Sequence, residues 1–271
     1  MKMKLFYFLC MFPEIVCMLC GCSQEEKPMK VTPNISLNKT DSMIMLDVYD
    51  KTGGGVYWGE SWDRRDYHTW TDVKTEEIDG EYRIVNIQIS PFAIGSLPAT
   101  IGELAELRIL YLNGNIVGGL PSAIANLTKL EVLSVTATAL GGEIPKEIGE
   151  LEKLKRLYLI NNGMTGEVPV ELGQLPSLLL IDLSHNHFYG TVPLTLLENK
   201  NREVTLNYND FTVLPWDSWL DDKFIIPSIQ YNRLLGKVPE NVRNTEKWKH
   251  NKWLVAVSYT HLRAHETGAY L

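Results

Sequence analysis

The segment Leu157-Tyr158-Leu159-Ile160-Asn161-Asn162-Gly163-Met164-Thr165-Gly166-Glu167-Val168-Pro169 shares a frame with Ile181-Asp182-Leu183-Ser184-His185-Asn186-His187-Phe188-Tyr189-Gly190-Thr191-Val192-Pro193. Both read LxLxxNxLxGxIP with aliphatic exchanges. The frame occurs seven times. The position that closes each strand is Phe92, Asn115, Thr138, Asn162, Asn186, Asn209 and Asn232, at intervals of 23 or 24 residues. Each copy ends on a proline: Pro98, Pro121, Pro145, Pro169, Pro193, Pro215 and Pro239. Two landmarks that keep one period over seven copies identify a repeat architecture, whose coils cannot bury their apolar faces alone and are stabilised by stacking.

Each part of the frame has a physical task. Alternating aliphatics such as Leu110 and Leu112, Leu133 and Val135, or Leu157 and Leu159 give a short strand one inward face. The asparagine is expected to bury its amide at the following turn, serving backbone groups of its own and neighbouring coils. Glycine supplies a permissive backbone position, and proline ends pairing and starts the return leg. Seven strands spaced about 4.8 Å apart predict a parallel sheet roughly 30 Å long. Phe92 and Thr138 replace the asparagine, so the polar ladder should be interrupted there. The first, second and sixth copies are one residue short before the proline, which predicts irregular convex turns.

Over about Arg83 to Asn244, the frame resembles the plant-type subclass of leucine-rich repeats, with its additional G-x-I-P element. The resemblance implies an α/β repeat solenoid: a curved, right-handed superhelix with a concave parallel β-sheet. Residues 41–82 read as an N-terminal helical, Trp-rich cap. Asp41 to Asp50 is predicted helical, started by Asp41 or Ser42 and ended by Gly53-Gly54-Gly55. Trp58, Trp62 and Trp70 follow, and burial in the cap outweighs stacking on sugars as their expected role. The arrangement is similar to the caps of bacterial and plant repeat proteins of this subclass, without the cysteine pair usual in plants.

The ends read differently. Residues 1–21 combine Lys2 and Lys4 with an apolar stretch too short and broken for a membrane span, as in a cleaved signal peptide. Leu19-Cys20-Gly21-Cys22 resembles the bacterial lipobox, which implies lipidation of Cys22, and Ser23-Gln24-Glu25-Glu26 resembles the export signal of Bacteroidetes surface lipoproteins. Residues 22–40 then read as a flexible tether. The expected location is the outer membrane, lipid-anchored and surface-exposed, with the periplasmic face as the alternative. Residues 245–256 are the expected start of an eighth repeat or a C-terminal cap. Residues 257–271 resemble a translated sequencing-library adapter, which would leave His261 and His265 without function and cut the gene near Ala256, ahead of any C-terminal cap or further domain.

Composition narrows the function. The 271 residues are 45% hydrophobic and 22% charged, ordinary for a globular chain and unlike a disordered or polytopic membrane protein. A net charge of −7, from 26 Lys+Arg and 33 Asp+Glu, argues against nucleic acid as partner. All four cysteines lie in the first 22 residues, so the repeats hold no disulfide or Cys-based zinc site. No phosphate loop, nucleophile elbow or zinc-hydrolase helix occurs, and neither an enzyme nor a cofactor is expected. His185 and His187 flank Asn186 without an evident third ligand for a metal.

The repeat geometry instead nominates a face. The residue between the two aliphatics of each strand points to the concave surface: Gln88, Tyr111, Ser134, Tyr158, Asp182, Thr205 and Ser228. Further columns follow, one of them Pro91, Gly114, Ala137, Asn161, His185, Tyr208 and Tyr231. Tyr111, Tyr158, Asp182, His185 and Tyr208 form the candidate binding patch, since rigid aromatics beside small polar groups suit a peptide, loop or glycan. The expected function is non-catalytic binding of a protein or ligand at a bacterial surface. The alternatives are glycan capture, or the recognition part of a longer enzyme or sensor.

Overall fold

The computed structural model describes residues 37–54, 66–89, 91–235 and 237–251. The expected signal peptide, Cys22, most of the expected tether, Trp58, Trp62, Trp253 and the adapter-like tail lie outside the described residues. Twelve strands occur among the described residues: β1 (Val73–Ile78), β2 (Glu81–Ile89), β3 (Ile94–Ser96), β4 (Ile109–Leu112), β5 (Asn115–Val117), β6 (Val132–Thr136), β7 (Arg156–Ile160), β8 (Thr165–Gly166), β9 (Leu180–Asp182), β10 (His187–Thr191), β11 (Glu203–Thr205) and β12 (Asp210–Val213). The principal sheet has the order β1-β2-β4-β6-β7-β9-β11 and is parallel from β2 onward. The expected curved repeat solenoid is the observed fold.

Alternation drives the strands. In β7, Leu157 and Leu159 are buried while Arg156, Tyr158 and Ile160 look outward, and Leu110, Leu112, Leu133, Val135, Ile181 and Leu183 are buried in the neighbouring coils. Full burial of each such side chain stabilises the stack by roughly 1.5–3 kcal/mol. Every frame proline sits just ahead of a short helical turn on the return leg, from Ala99–Glu103 after Pro98 to Glu240–Arg243 after Pro239. The fixed φ of proline and its missing N–H suit that place.

The asparagine ladder is real but shorter than the frame suggests. Asn162, Asn186, Asn209 and Asn232 are buried. The Asn186 Oδ1 accepts from the backbone N–H groups of Asn162 and Met164 at 3.1 and 3.0 Å. Its Nδ2 donates to the carbonyls of Leu159 in the preceding coil, at 2.6 Å, and of Leu183 at 3.0 Å. Asn209 and Asn232 repeat the pattern, accepting from Phe188 and Phe211 and donating to Leu183 and Leu206. Thr138 is a terminal rung and not a break: its hydroxyl donates to the Asn162 Oδ1 at 2.8 Å and accepts from the Leu140 N–H at 3.1 Å.

Asn115 departs from expectation. It is exposed, and its backbone N–H joins β5 to the preceding coil by donating to the Ala93 carbonyl at 2.8 Å. Its coil lacks the residue that separates Asn162 from Met164, so buried Ile116 follows at once and the amide has no room to turn inward. Phe92, in an equally short coil, is exposed as well. The two short coils pair with each other as β3 and β5, separately from the β8-β10-β12 sheet. In the short sixth coil the register of β12 against β10 slips between Gly190 and Thr191.

The cap differs in detail. Helix α1 spans Lys39–Lys51 and its cap is Asn38, whose side chain accepts from the N–H groups of Thr40 and Asp41. Leu37, just ahead of the helix, is bridged to Tyr82. Asp41 is not a cap. It is fully buried, forms a two-point ion pair with Arg83 at 2.9 and 3.0 Å, and accepts from the Ile84 N–H at 2.8 Å. A buried carboxylate is retained at such a place because the guanidinium and the strand amide satisfy it. The C-terminal end of α1 lies against Gly95, where a Cβ would stand 2.0 Å from the Lys51 carbonyl oxygen. Trp70 is buried, but an antiparallel strand, β1, extends the sheet beyond β2 through the turn at Asp79-Gly80.

Another departure is Arg202. One residue fewer separates Pro193 from Thr205 than separates Pro169 from Asp182. Arg202 lies buried in that shortened return leg and donates to the carbonyls of Leu178, Gly173 and Leu175 at 3.0, 3.0 and 3.1 Å. Beyond it, Trp248 in the helix Glu246–Asn251 packs on Trp219 and Trp216, with ring centroids 5.6 and 6.3 Å away.

Urea denaturation should separate the two kinds of asparagine. Asn186→Ala, which orphans several buried backbone groups, is expected to cost about 2–3 kcal/mol. Asn115→Ala should cost less than about 0.5 kcal/mol. Asp41→Ala leaves Arg83 without its carboxylate and is expected to cost about 2–4 kcal/mol. In the double variant with Arg83→Ala, the two losses should fall well short of adding.

Candidate functional site

Strand register carries the central concave column straight across the sheet. Gln88 pairs with Tyr111, Tyr111 with Ser134, Ser134 with Tyr158, and Tyr158 with Asp182; Asp182 pairs with Thr205 and Thr205 with Ser228. Three of the candidate residues, Tyr111, Tyr158 and Asp182, therefore share one row. Ser134 is buried between the two tyrosines, which stand two strand spacings apart, about 9–10 Å.

The other two candidates, His185 and Tyr208, lie in a column of different origin. Ala137, Asn161, His185, Tyr208 and Tyr231 all have φ between 54 and 59°. The frame imposes this left-handed turn: each of the first four donates its N–H to a carbonyl of the next coil, as Tyr208 does to Gln230 at 2.9 Å. An aromatic residue in this conformation costs about 1–2 kcal/mol relative to right-handed backbone. The geometry sets the side chains above one another. His185 stacks on Tyr208 with centroids 4.2 Å apart, and Tyr208 on Tyr231 at the same distance, with interplanar angles of 15° and 8°. Such ring pairs return about 0.5–1.5 kcal/mol each. Tyr231, absent from the sequence-based patch, is thus its third ring.

Asp182 connects the two columns. Its Oδ1 accepts from the Ser184 N–H at 2.9 Å. Burial pushes its carboxyl up from the usual range, opposed by the hydrogen bonds from Ser184 and by His185. Burial pushes the His185 imidazole down, with Asp182 opposing. Burial raises the Tyr158 phenol too, and the Tyr208 phenol is raised by burial and then by its hydrogen bond with Tyr231. Arg156 and Glu203 belong to the same surface, two positions before Tyr158 and Thr205 on their strands. Strand alternation was the signal that could have nominated them.

His185 and His187 do not converge. His185 stacks on Tyr208, whereas the His187 Nδ1 lies 3.4 Å from a carboxylate oxygen of Asp210, which also pairs with Arg233 at 2.7 Å. Among the described residues no group of three His, Cys, Asp or Glu side chains is placed to hold a metal ion.

The profile of the leucine-rich repeat region family matches residues 83–261. The chain belongs to the leucine-rich repeat family. This leucine-rich repeat chain is similar to a plant ice-binding protein, at 27% identity and a TM-score of 0.63, covering 74% of this chain and 66% of that one. It is similar to the PEPR1–AtPEP1 structure at 25% identity and a TM-score of 0.65, covering 76% and 30%. The ectodomain of the receptor kinase GASSHO1/SCHENGEN3 from Arabidopsis thaliana shares the fold, at 23% identity and a TM-score of 0.66, covering 76% and 26%. The chain thus spans about two thirds of the ice-binding protein and under a third of the other two chains. No curated protein matches it.

The raised carboxyl of Asp182 has a measurable consequence. An acid with a raised folded-state value stabilises the fold below its unfolded titration and loses that contribution as pH rises through the folded value. Asp182→Asn removes the buried charge and keeps an oxygen for the Ser184 N–H. This variant is expected to melt above the wild type at pH 7, with the difference closing as the pH falls into the carboxylate range. Thermal melts at several pH values check this.

Proposed function

We propose that this chain is a non-catalytic binding protein that receives a protein or peptide on its concave face. The observation that carries this reading is the half-buried concave row of Tyr111, Tyr158 and Asp182 beside the ring stack of His185, Tyr208 and Tyr231. Rigid aromatics lose little side-chain entropy on binding and offer both an apolar face and a hydroxyl. Among similar structures, PEPR1 is paired with AtPEP1. Ice binding, named for another relative, fits less well: no concave column repeats one side chain from coil to coil, as matching a lattice would require. Glycan capture shares the aromatic chemistry and is kept as an outcome of the test below.

We further propose that the chain is a bacterial lipoprotein, held at the cell surface by acyl chains on Cys22. The support is the sequence Leu19-Cys20-Gly21-Cys22 followed by the Ser23-Gln24-Glu25-Glu26 segment. Each buried methylene contributes about 0.8 kcal/mol to anchoring.

Two experiments check these readings. Protein and peptide libraries, with a glycan array beside them, should yield a protein or peptide ligand whose affinity falls at least about tenfold in Tyr158→Ala and Tyr208→Ala variants that retain the wild-type circular dichroism. A ligand indifferent to both substitutions, or found only on the glycan array, contradicts the reading. In bacteria fed an alkyne fatty acid, the wild type should carry label and sediment with membranes, and Cys22→Ala should do neither.

A further inference from the structure

The concave face carries an acidic group, Asp182, whose surroundings differ from those of most carboxylates in the described coils. Most carboxylates of the described coils are either solvent-exposed or matched to a cation, as in Lys129–Glu106, Lys155–Glu131 and Arg233–Asp210. Among the described residues no lysine or arginine pairs with Asp182. It sits mid-strand in the central row, half-buried, with the Ser184 N–H on one oxygen. Tyr158 adjoins it in register on one side and Thr205 on the other. His185, the end ring of the stack, is close enough to interact with it electrostatically, and Tyr208 and Tyr231 continue the stack on the next coils.

A partly desolvated carboxylate with Tyr158 beside it in register and His185 within electrostatic reach has the composition of a site for an organic cation. The carboxylate supplies the opposite charge and the rings supply cation–π attraction. A guanidinium fits better than an ammonium, because it is planar, stacks on ring faces and is weakly hydrated. We propose that Asp182, between Tyr158 and the His185–Tyr208–Tyr231 stack, receives the guanidinium of an arginine side chain on a bound peptide. This rests on the concave face being a peptide-binding surface, and it names the residue that the surface selects.

The charged neighbours set the expected pH dependence. Glu203, from the adjoining strand, adds a second negative charge near Asp182, and Arg156 acts on the neighbouring Tyr158 phenol. Burial favours the neutral form of the His185 imidazole, with Asp182 opposing. Protonation of either His185 or Asp182 on acidification disfavours a bound cation, so affinity falls as pH drops.

The test is a random peptide library selected against the intact protein. Arginine should be enriched at one position of the recovered peptides. Affinity for a selected peptide should fall at least about tenfold when that arginine is replaced by citrulline, its neutral isostere, and by a similar factor in Asp182→Asn. Combining both changes should cost little more than either alone. Since Asp182→Asn is expected to stabilise the fold at pH 7, its loss of affinity cannot be ascribed to unfolding, and a melt of the same sample verifies this. Recovered peptides without a selected arginine, or ones that bind wild type and Asp182→Asn equally, overturn this inference and leave the peptide-binding reading standing. A library that yields no binding peptide overturns both.

Discussion

The structure depends on a buried side-chain amide serving two coils at once. A repeat that turns every 23 or 24 residues leaves backbone N–H and C=O groups facing inward at each turn, where water cannot reach them. In coils four to seven the asparagine meets that demand. Its oxygen accepts from backbone N–H groups at the turn of the preceding coil and its nitrogen donates to a carbonyl of that coil; in coils five to seven the nitrogen also donates to a carbonyl of its own coil. Aliphatic burial supplies most of the stabilisation but is not directional. The amide has direction, and it sets how far each coil is turned relative to its neighbour.

The binding face follows from the same constraint. In five successive coils the residue before the frame position, from Ala137 to Tyr231, is in left-handed backbone, and in the first four of them its N–H is tied to the next coil. Side chains at that position must project one above another. Where the chain puts Gly114 or Ala137 there, the surface is bare; where it puts His185, Tyr208 and Tyr231, three rings stack. The ladder is thus the scaffold for the aromatic column, and the strand row that includes Tyr158 and Asp182 adjoins it.

Much of this was legible in the sequence, for identifiable reasons. The period, the inward aliphatics and the central concave column depend only on repeated spacing and strand alternation, and they need no knowledge of neighbours. The stack was half legible. Gly114 and Asn161, residue types that tolerate left-handed backbone, marked the conformation of the column, but the closeness of its rings depends on how the coils superpose. Tyr231 was therefore passed over although it shares the frame with Tyr208. Asn115 misled because the frame letter was present while the residue after it was missing, and a deletion of one position reverses which side an amide faces. Asp41 misled in another way: an acidic residue near a helix start reads as a cap, and only the distant Arg83 shows its actual partner. The Asp79-Gly80 turn before β2 was a hairpin signal in plain view.

The most direct measurement is amide hydrogen exchange at the backbone groups whose partners are asparagine side chains: Asn162, Met164, Phe188 and Phe211. The account predicts that these turn amides exchange as slowly as Leu183, whose N–H is bonded within the sheet to Thr205. Exchange at the rate of exposed turns, with Leu183 still protected, would mean that the side-chain amides do not hold the coils in register.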